Sequence, residues 1–196
     1  MQRYLFFIDR ISTWVGKAFA WCILILTFVV TYDVIMRKFG NPTVWAFDVS
    51  WMLYGTLFLM AGAYTLSRNG HVRGDVLYGF FPPRAQASLD LVLYFLFFVP
   101  GILALAYAGI GYAETSWGQK ETSYNSPDII IYPVKVLIPI AGMLVFLQGI
   151  AEIVRCIQCL RTGAWPGRAH DVEEIDIEEL KQMVGVKDND IAGTKP

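Results

Sequence analysis

Four long runs of apolar residues, separated by short polar stretches, dominate the hydrophobicity pattern of the chain. Each run has roughly 20 residues or more, and at ~1.5 Å rise per residue an α-helix of that length crosses the hydrocarbon core of a bilayer. The interior of the second run holds no ionisable side chain. The predicted spans cover residues 14–36, 47–67, 88–113 and 132–153, and together they form a membrane domain over residues 14–161.

Shorter amphipathic stretches flank these spans. Residues 1–13 place apolar side chains at helical spacing with arginines between them, which predicts a helix lying in the membrane interface. A signal peptide is the alternative, but the apolar run that follows is too long and no small-residue cleavage site follows it. Residues 76–81 predict a second interfacial helix. Residues 162–196 form a tail with a short acidic amphipathic helix, either solvated or docked on protein.

The composition agrees with a membrane protein. Of 196 residues, 55% are hydrophobic and 17% are charged, and the charges fall in loops and tails. A net charge of -1 leaves no basic footprint for nucleic acid. The three cysteines are too few for a disulfide framework, and Cys156 and Cys159 lack the further ligands that zinc needs. We therefore expect unpaired thiols and no metal.

The distribution of basic residues predicts the orientation. Nine lysines and arginines lie in the N-terminal segment, the middle loop and residues 155–168 just after the last span, against four in the two opposite loops. The positive-inside rule then places both termini in the cytoplasm, although Arg37 and Lys38 run against the trend. The fold class predicted is thus an all-α integral membrane protein with four transmembrane helices, short interfacial helices and a cytoplasmic acidic tail.

Several charged side chains stand at the ends of spans. Asp33 precedes Arg37 by four residues, which favours a local ion pair, with contact to a partner subunit as the alternative. Asp48 opens the second span, where an acid suits the helix dipole. Glu114 and Lys135 each stand at the helix end that the dipole disfavours. We expect these two to pair with each other or to meet charges on a partner.

Small residues follow two of the helices at spacings that place them on one face. Such faces let another helix approach closely in lipid, although membrane helices also tolerate glycine and alanine without any partner. The residues that form these faces are Gly55 and Gly62 in the second span, and Gly101, Ala104, Ala108 and Gly111 in the third. Pro100 is expected to kink the third span, and Pro139 lies inside the fourth.

A short polar motif, Gly-His-Val-Arg-Gly-Asp, follows the second span at residues 70–75. A single histidine at a loop edge is most often solvated or bonded to backbone, and contact with a partner is the alternative. Metal binding is not expected without further ligands. His71, Arg73 and Asp75 are therefore candidates for ordering this loop at an interface.

The chemistry of a catalyst or a carrier is missing from the sequence. No predicted span holds a cluster of ionisable groups at mid-depth, where transporters place them. Neither histidine lies in a span, so haem ligation has no histidine donor there. No nucleophile triad, paired catalytic carboxylates, zinc-protease motif or phosphate loop is present. We expect neither enzyme activity nor a cofactor, and instead a helper that packs against a larger membrane protein.

Three segments carry a family resemblance: residues 33–39 at the end of the first span, residues 45–51 at the start of the second, and the motif at residues 70–75. Over residues 8–161 the chain resembles the small, DctQ-like membrane subunit of tripartite ATP-independent periplasmic (TRAP) transporters. Asp48 departs from the pattern, because relatives often carry glutamate there, and the long tail is not a family feature.

The resemblance implies a small subunit that braces a large, elevator-type permease subunit in the bacterial inner membrane. The large subunit would carry the substrate and sodium sites, and a periplasmic binding protein would deliver a carboxylate or sulfonate. Partners would then be these two proteins and membrane lipids. Two other functions stay open: the membrane anchor of a respiratory oxidoreductase, and an independent small channel or exporter.

Overall fold

The computed structural model describes residues 2–68, 81–126 and 128–166. These residues form helices and connecting loops, and β-structure in this part of the chain is limited to one isolated bridge, between Thr122 and Ile130. Four helical segments are long and apolar enough to cross a membrane. The predicted fold class, an all-helical membrane protein with four spans, is confirmed.

The spans are built from six α-helices and one π-helical turn. The third span comprises α3, the π-helical turn and α4, and the fourth comprises α5 and α6. In chain order the elements are α1 (Gln2–Lys38), α2 (Trp45–Ser67), α3 (Pro83–Leu93), the π-helical turn (Tyr94–Phe98), α4 (Val99–Gly118), α5 (Tyr132–Lys135) and α6 (Leu137–Thr162).

The first helix is longer than the sequence analysis predicted. Residues 2–13 continue into the first span without a break, so the expected boundary at Trp14 is absent. Helix α1 contains no proline, and its one glycine, Gly16, is tolerated inside a helix. No residue in α1 therefore ends the helix at Trp14. At ~1.5 Å per residue, α1 is about 55 Å long, which exceeds the bilayer core even with tilt.

Prolines mark the irregular points of the third and fourth spans. Pro100 follows the π-helical turn directly, and Pro139 follows the break between α5 and α6 at Val136. A proline has no N–H to donate to the carbonyl four residues earlier. The carbonyl of Leu96 therefore receives no helical hydrogen bond from Pro100, and that of Lys135 receives none from Pro139. The expected distortion at Pro100 therefore takes the form of a wide turn in the preceding residues.

The spans pack around α6, which contacts α1, α2, α3 and α4. The first helix packs mainly on α2, and it makes no substantial contact with α4 within the described residues. Among the described residues α6 therefore lies in the middle of the arrangement. Many large apolar side chains are consequently exposed on its faces, as lipid-facing positions of a membrane protein should be.

Close helix packing against α6 depends on small residues. Gly142 fits against Ala106 on α4, where an added Cβ would lie 3.2 Å from the alanine Cβ. At Gly149 an added Cβ would overlap the ring of Phe98, the last residue of the π-helical turn. The glycine therefore provides the notch that receives this ring.

Candidate functional site

A buried polar cluster, which we call the inner network, joins the start of α1 to the second half of α6. Its members are Asp9 and Ser12 on α1 and Gln148, Glu152 and Arg155 on α6, and none is more than 5% exposed. The spacings of three residues on α1 and of four and three on α6 place each set on one helix face. The two polar faces therefore meet.

Hydrogen bonds connect every member of the inner network. Arg155 donates from Nη2 to Asp9 Oδ2 and from Nη1 to Glu152 Oε1. Gln148 Nε2 donates to Asp9 Oδ1 at 2.9 Å, while Ser12 Oγ donates to Gln148 Oε1 at 2.9 Å. A buried charge is tolerated only when it is paired and hydrogen-bonded, and this arrangement meets that requirement.

The sequence analysis missed this network. It placed the charges in loops and tails and counted Arg155 only as a basic residue on the side of the termini. Asp9 precedes Asp33 by 24 positions, or about 36 Å of helix, so the network lies near the opposite end of the spans from Asp33. The signal in the sequence was the spacing of Gln148, Glu152 and Arg155, which places three polar residues on one face of a largely apolar helix.

Asp33 and Arg37 form the predicted local ion pair at the end of α1. Arg37 Nε lies 2.7 Å from Asp33 Oδ2, and Thr43 donates its hydroxyl to the other carboxylate oxygen. The Arg37 side chain is 58% exposed and still has donors facing outward. The pair thus fixes the turn between α1 and α2 and leaves Arg37 accessible at the surface.

Asp48 is buried at the start of α2, where it anchors the loop between α4 and α5. Its Oδ1 accepts hydrogen bonds from Asn125 Nδ2 at 3.2 Å and from Trp51 Nε1 at 3.4 Å. The contact with Asn125 spans 77 positions of sequence. The role of Asp48 is therefore to hold this loop, beyond the helix-dipole effect that the sequence indicated.

The expected pairing of Lys135 with Glu114 is wrong. Lys135 is buried and its Nζ lies 2.5 Å from Glu121 Oε2, while Glu114 is exposed. Ser116 Oγ donates to the same Glu121 oxygen at 2.6 Å, and the Lys135 ammonium stands 4.1 Å from the Tyr112 ring centroid. These hydrogen bonds, that of Lys135 foremost, hold the pKa of Glu121 below its ordinary value.

The loop conformation explains why Glu121 replaces Glu114 as the partner. Ile131 N donates to Glu121 O at 3.2 Å and Ser123 N donates to Ile129 O at 2.8 Å, so the two ends of the loop run side by side. The carboxylate of Glu121 is thereby brought to the start of α5. Spacing within a helix does not reveal this pairing, because the loop conformation is set by backbone hydrogen bonds between residues six to ten positions apart.

The predicted small-residue faces differ in their surroundings. Gly62 packs inside the chain, 3.2 Å from Val145 at the position of an added Cβ, whereas Gly55 has open space there. The stripe predicted on the third span is exposed along its length, at Gly101, Ala104, Ala108 and Gly111. A different face of α4, with Ala106 and Gly109, packs on the fourth span.

Some predicted residues lie outside the described part of the chain. His71, Arg73 and Asp75 are among them, as are the predicted interfacial helix at 76–81, except for Phe81, and the tail from residue 167 onward. Within the described residues, no group of three histidine, cysteine or acidic side chains is placed to hold a metal ion. The best-formed pockets there are open grooves between lipid-facing side chains.

Comparison with known families gives one match. The family model described as "Tripartite ATP-independent periplasmic transporters, DctQ component" matches residues 26–159 of the 196 in the chain. No curated protein matches the chain. The matched region contains α2 to α5 and the buried residues Gln148, Glu152 and Arg155, and it begins after Asp9 and Ser12.

Proposed function

The chain belongs to the DctQ component family of tripartite ATP-independent periplasmic (TRAP) transporters, and from this membership we propose that it acts as a scaffold for the large permease subunit. It is a transporter component and an inner-membrane protein with helices that cross the bilayer. In the proposed role it braces an elevator-type permease during sodium-coupled uptake of an organic acid that a periplasmic binding protein delivers.

The observation that carries this proposal is the arrangement of the spans around α6. A carrier needs a site between its own helices, whereas here α6 lies in the middle and the best-formed pockets of the described residues are open grooves. Two buried cations are engaged within the chain, Arg155 with Asp9 and Glu152 and Lys135 with Glu121. Such a chain is suited to support another membrane protein along its exposed faces.

The proposed orientation places both termini in the cytoplasm. The turn after α1 and the loop between α4 and α5 then face the periplasm. Asp33, Arg37 and Asp48 lie at or beneath that surface, and we propose that the surface contacts the docked binding protein. His71, Arg73 and Asp75 would order the cytoplasmic loop at the interface with the permease.

Co-purification tests the assembly. The tagged chain is expressed together with the large permease component from the same cell, solubilised in mild detergent and separated by size-exclusion chromatography. We expect both proteins in one peak. Separate elution in several mild detergents, with each protein folded, would contradict the scaffold role.

Transport in liposomes tests the division of labour. Uptake of a panel of carboxylates and sulfonates is measured by mass spectrometry with an inward sodium gradient and the binding protein outside. We expect uptake only when both membrane subunits are present. Uptake by this chain alone would instead support an independent small transporter.

A further inference from the structure

The outward face of the first half of α1 carries a regular series of cations. Arg3, Arg10 and Lys17 stand seven residues apart, which places them on one side of the helix, and all three are exposed. Within the described residues none of them forms an ion pair or a side-chain hydrogen bond. We call these three residues the cationic stripe.

Each cation of the stripe precedes an exposed aromatic residue by four positions. Phe7, Trp14 and Trp21 are 61%, 73% and 67% exposed, respectively. Side chains four apart are neighbours on a helix surface, so every cation has an apolar ring next to it on the side of the hydrocarbon core. Phe7, Arg10, Ile11 and Trp14 also line a shallow groove.

Three other cations of the helices, in contrast, are paired within the chain. Arg37, Lys135 and Arg155 each bind a carboxylate of the chain itself. The stripe lacks such compensation, and no acidic residue shares its face: Asp9, the one acid in the first half of α1, is buried and bound to Arg155 of α6. An unpaired row of cations at a membrane surface attracts an anionic ligand.

The inner network fixes which way the stripe points. Asp9 and Ser12 bind α6 side chains, and Leu5 and Ile8 are buried next to them. With that face held against α6, the residues on the other side of the same turns must face away from the protein. The exposure of Arg10 and Trp14 is therefore determined by the fold.

The position along the helix agrees with the headgroup region of a bilayer. Lys17 lies 20 residues before Arg37, a separation of about 30 Å, which equals the thickness of the hydrocarbon core. With Arg37 at one boundary, Lys17 lies at the other, and Arg10 lies two turns farther out among the headgroups. Lysine and arginine side chains beside a tryptophan are typical of this depth.

We propose that the cationic stripe is a binding site for an anionic phospholipid of the leaflet at this end of α1. The phosphate binds Arg10 and Lys17, with Arg3 as the outermost cation; the glycerol end of the lipid lies along Ile11 and Trp14 in the groove, and its acyl chains continue past Trp21 into the core. The direction of the groove, with the cation outward and the aromatic ring toward the core, matches the polarity of a phospholipid.

Native mass spectrometry of the purified chain, with its large partner subunit where the two co-purify, tests the proposal. Phosphatidylglycerol and phosphatidylcholine are titrated separately into the detergent solution. We expect phosphatidylglycerol to bind preferentially to the wild type. The double variant R10Q/K17Q should lose this preference by about fivefold for each charge removed, and R10K/K17R should keep it.

The matched control is R84Q/R161Q, which removes two exposed arginines near the same end of the spans. It should keep the preference for phosphatidylglycerol. An equal loss in R10Q/K17Q and in this control would overturn the proposal, since the attraction would then be a general effect of charge. Crosslinks from a photoreactive residue at position 14 that lead to protein, with none to lipid, would also overturn it.

Discussion

The guanidinium of Arg155 on α6 binds the carboxylate of Asp9 on α1 although 146 positions of sequence separate them. Both side chains are buried, and Glu152 and Gln148 complete the hydrogen bonding. The contact ties the first helix of the chain to the central helix at one end of the spans. The rest of α1 packs mainly on α2. This ion pair is therefore a principal direct link between α1 and α6.

Removal of Arg155 should destabilise the protein strongly. In Arg155→Ala, the carboxylates of Asp9 and Glu152 remain buried without their shared cation, and breaking a buried pair in this way costs about 3–5 kcal/mol. The measurement is thermal unfolding in detergent, followed by circular dichroism or by the reactivity of buried Cys156 and Cys159.

Arg161→Ala is the control for that experiment. Arg161 lies on the same helix, is exposed, and forms no ion pair within the described residues, so its removal should leave the unfolding temperature almost unchanged. Equal stability of both variants and the wild type would show that the inner network does not hold α1 in place.

Substitution of Gly149 should disturb the contact between α6 and the π-helical turn. A Cβ at this position overlaps the Phe98 ring, so Gly149→Ala should cost about 1–3 kcal/mol through overpacking. The double variant Gly149→Ala/Phe98→Leu should recover part of that loss, because the smaller side chain vacates the space. Thermal unfolding of the chain checks both.

Gly101→Ala serves as the comparison, since an added Cβ there meets nothing within 4 Å. In the isolated chain this change should be neutral or slightly stabilising. A loss as large as that of Gly149→Ala would mean that the helical glycines act through the backbone and not through the fit of Phe98.

The features that could be predicted from the sequence are local ones. The spans follow from hydropathy because a helix is the way for a single segment to satisfy its backbone in lipid. The Asp33–Arg37 pair follows from a spacing of four residues on one helix. The same local reasoning placed a boundary at Trp14, where the structure has none, because amphipathic and apolar segments can share one continuous helix.

The features that could not be predicted depend on which helix faces meet. Asp9 and Arg155 are each unremarkable in their own segments, and their pairing requires that α1 and α6 be neighbours. Three acids lie between the third predicted span and Lys135, namely Glu114, Glu121 and Asp128. The loop backbone brings Glu121 to the lysine. Spacing rules within one helix carry no information on such contacts.

The ion pair between Glu121 and Lys135 should make the loop between α4 and α5 sensitive to pH. The folded state holds the pKa of Glu121 below its ordinary value of 4.5, so the ionised form stabilises the loop above that value. The contribution is lost as the pH falls through the lowered pKa. Hydrogen exchange of residues 121–131, corrected for intrinsic rates, should therefore show weaker protection at acid pH than at neutral pH.

Glu121→Gln should reduce the protection at neutral pH and remove much of its pH dependence. Glu114→Gln is the matched control, because Glu114 is exposed and does not bind Lys135. It should exchange as the wild type does at every pH. If Glu114→Gln and Glu121→Gln behaved alike, the assignment of Glu121 as the partner of Lys135 would be untenable.

The exposed stripe on the third span should matter for assembly and not for the stability of the chain. Ala104 and Ala108 face away from α6, and small residues there would allow a helix of the permease to approach closely. Ala104→Phe/Ala108→Phe should reduce co-purification with the large subunit by about tenfold, the effect of losing ~1.4 kcal/mol, while the unfolding temperature stays near that of the wild type. Ala20→Phe, at an exposed alanine of α1, is the comparison: it makes the same type of change once at a different lipid-facing position, against either single variant on the stripe. Equal weakening by Ala20→Phe, or full assembly of the double variant, would remove the stripe from the interface with the permease.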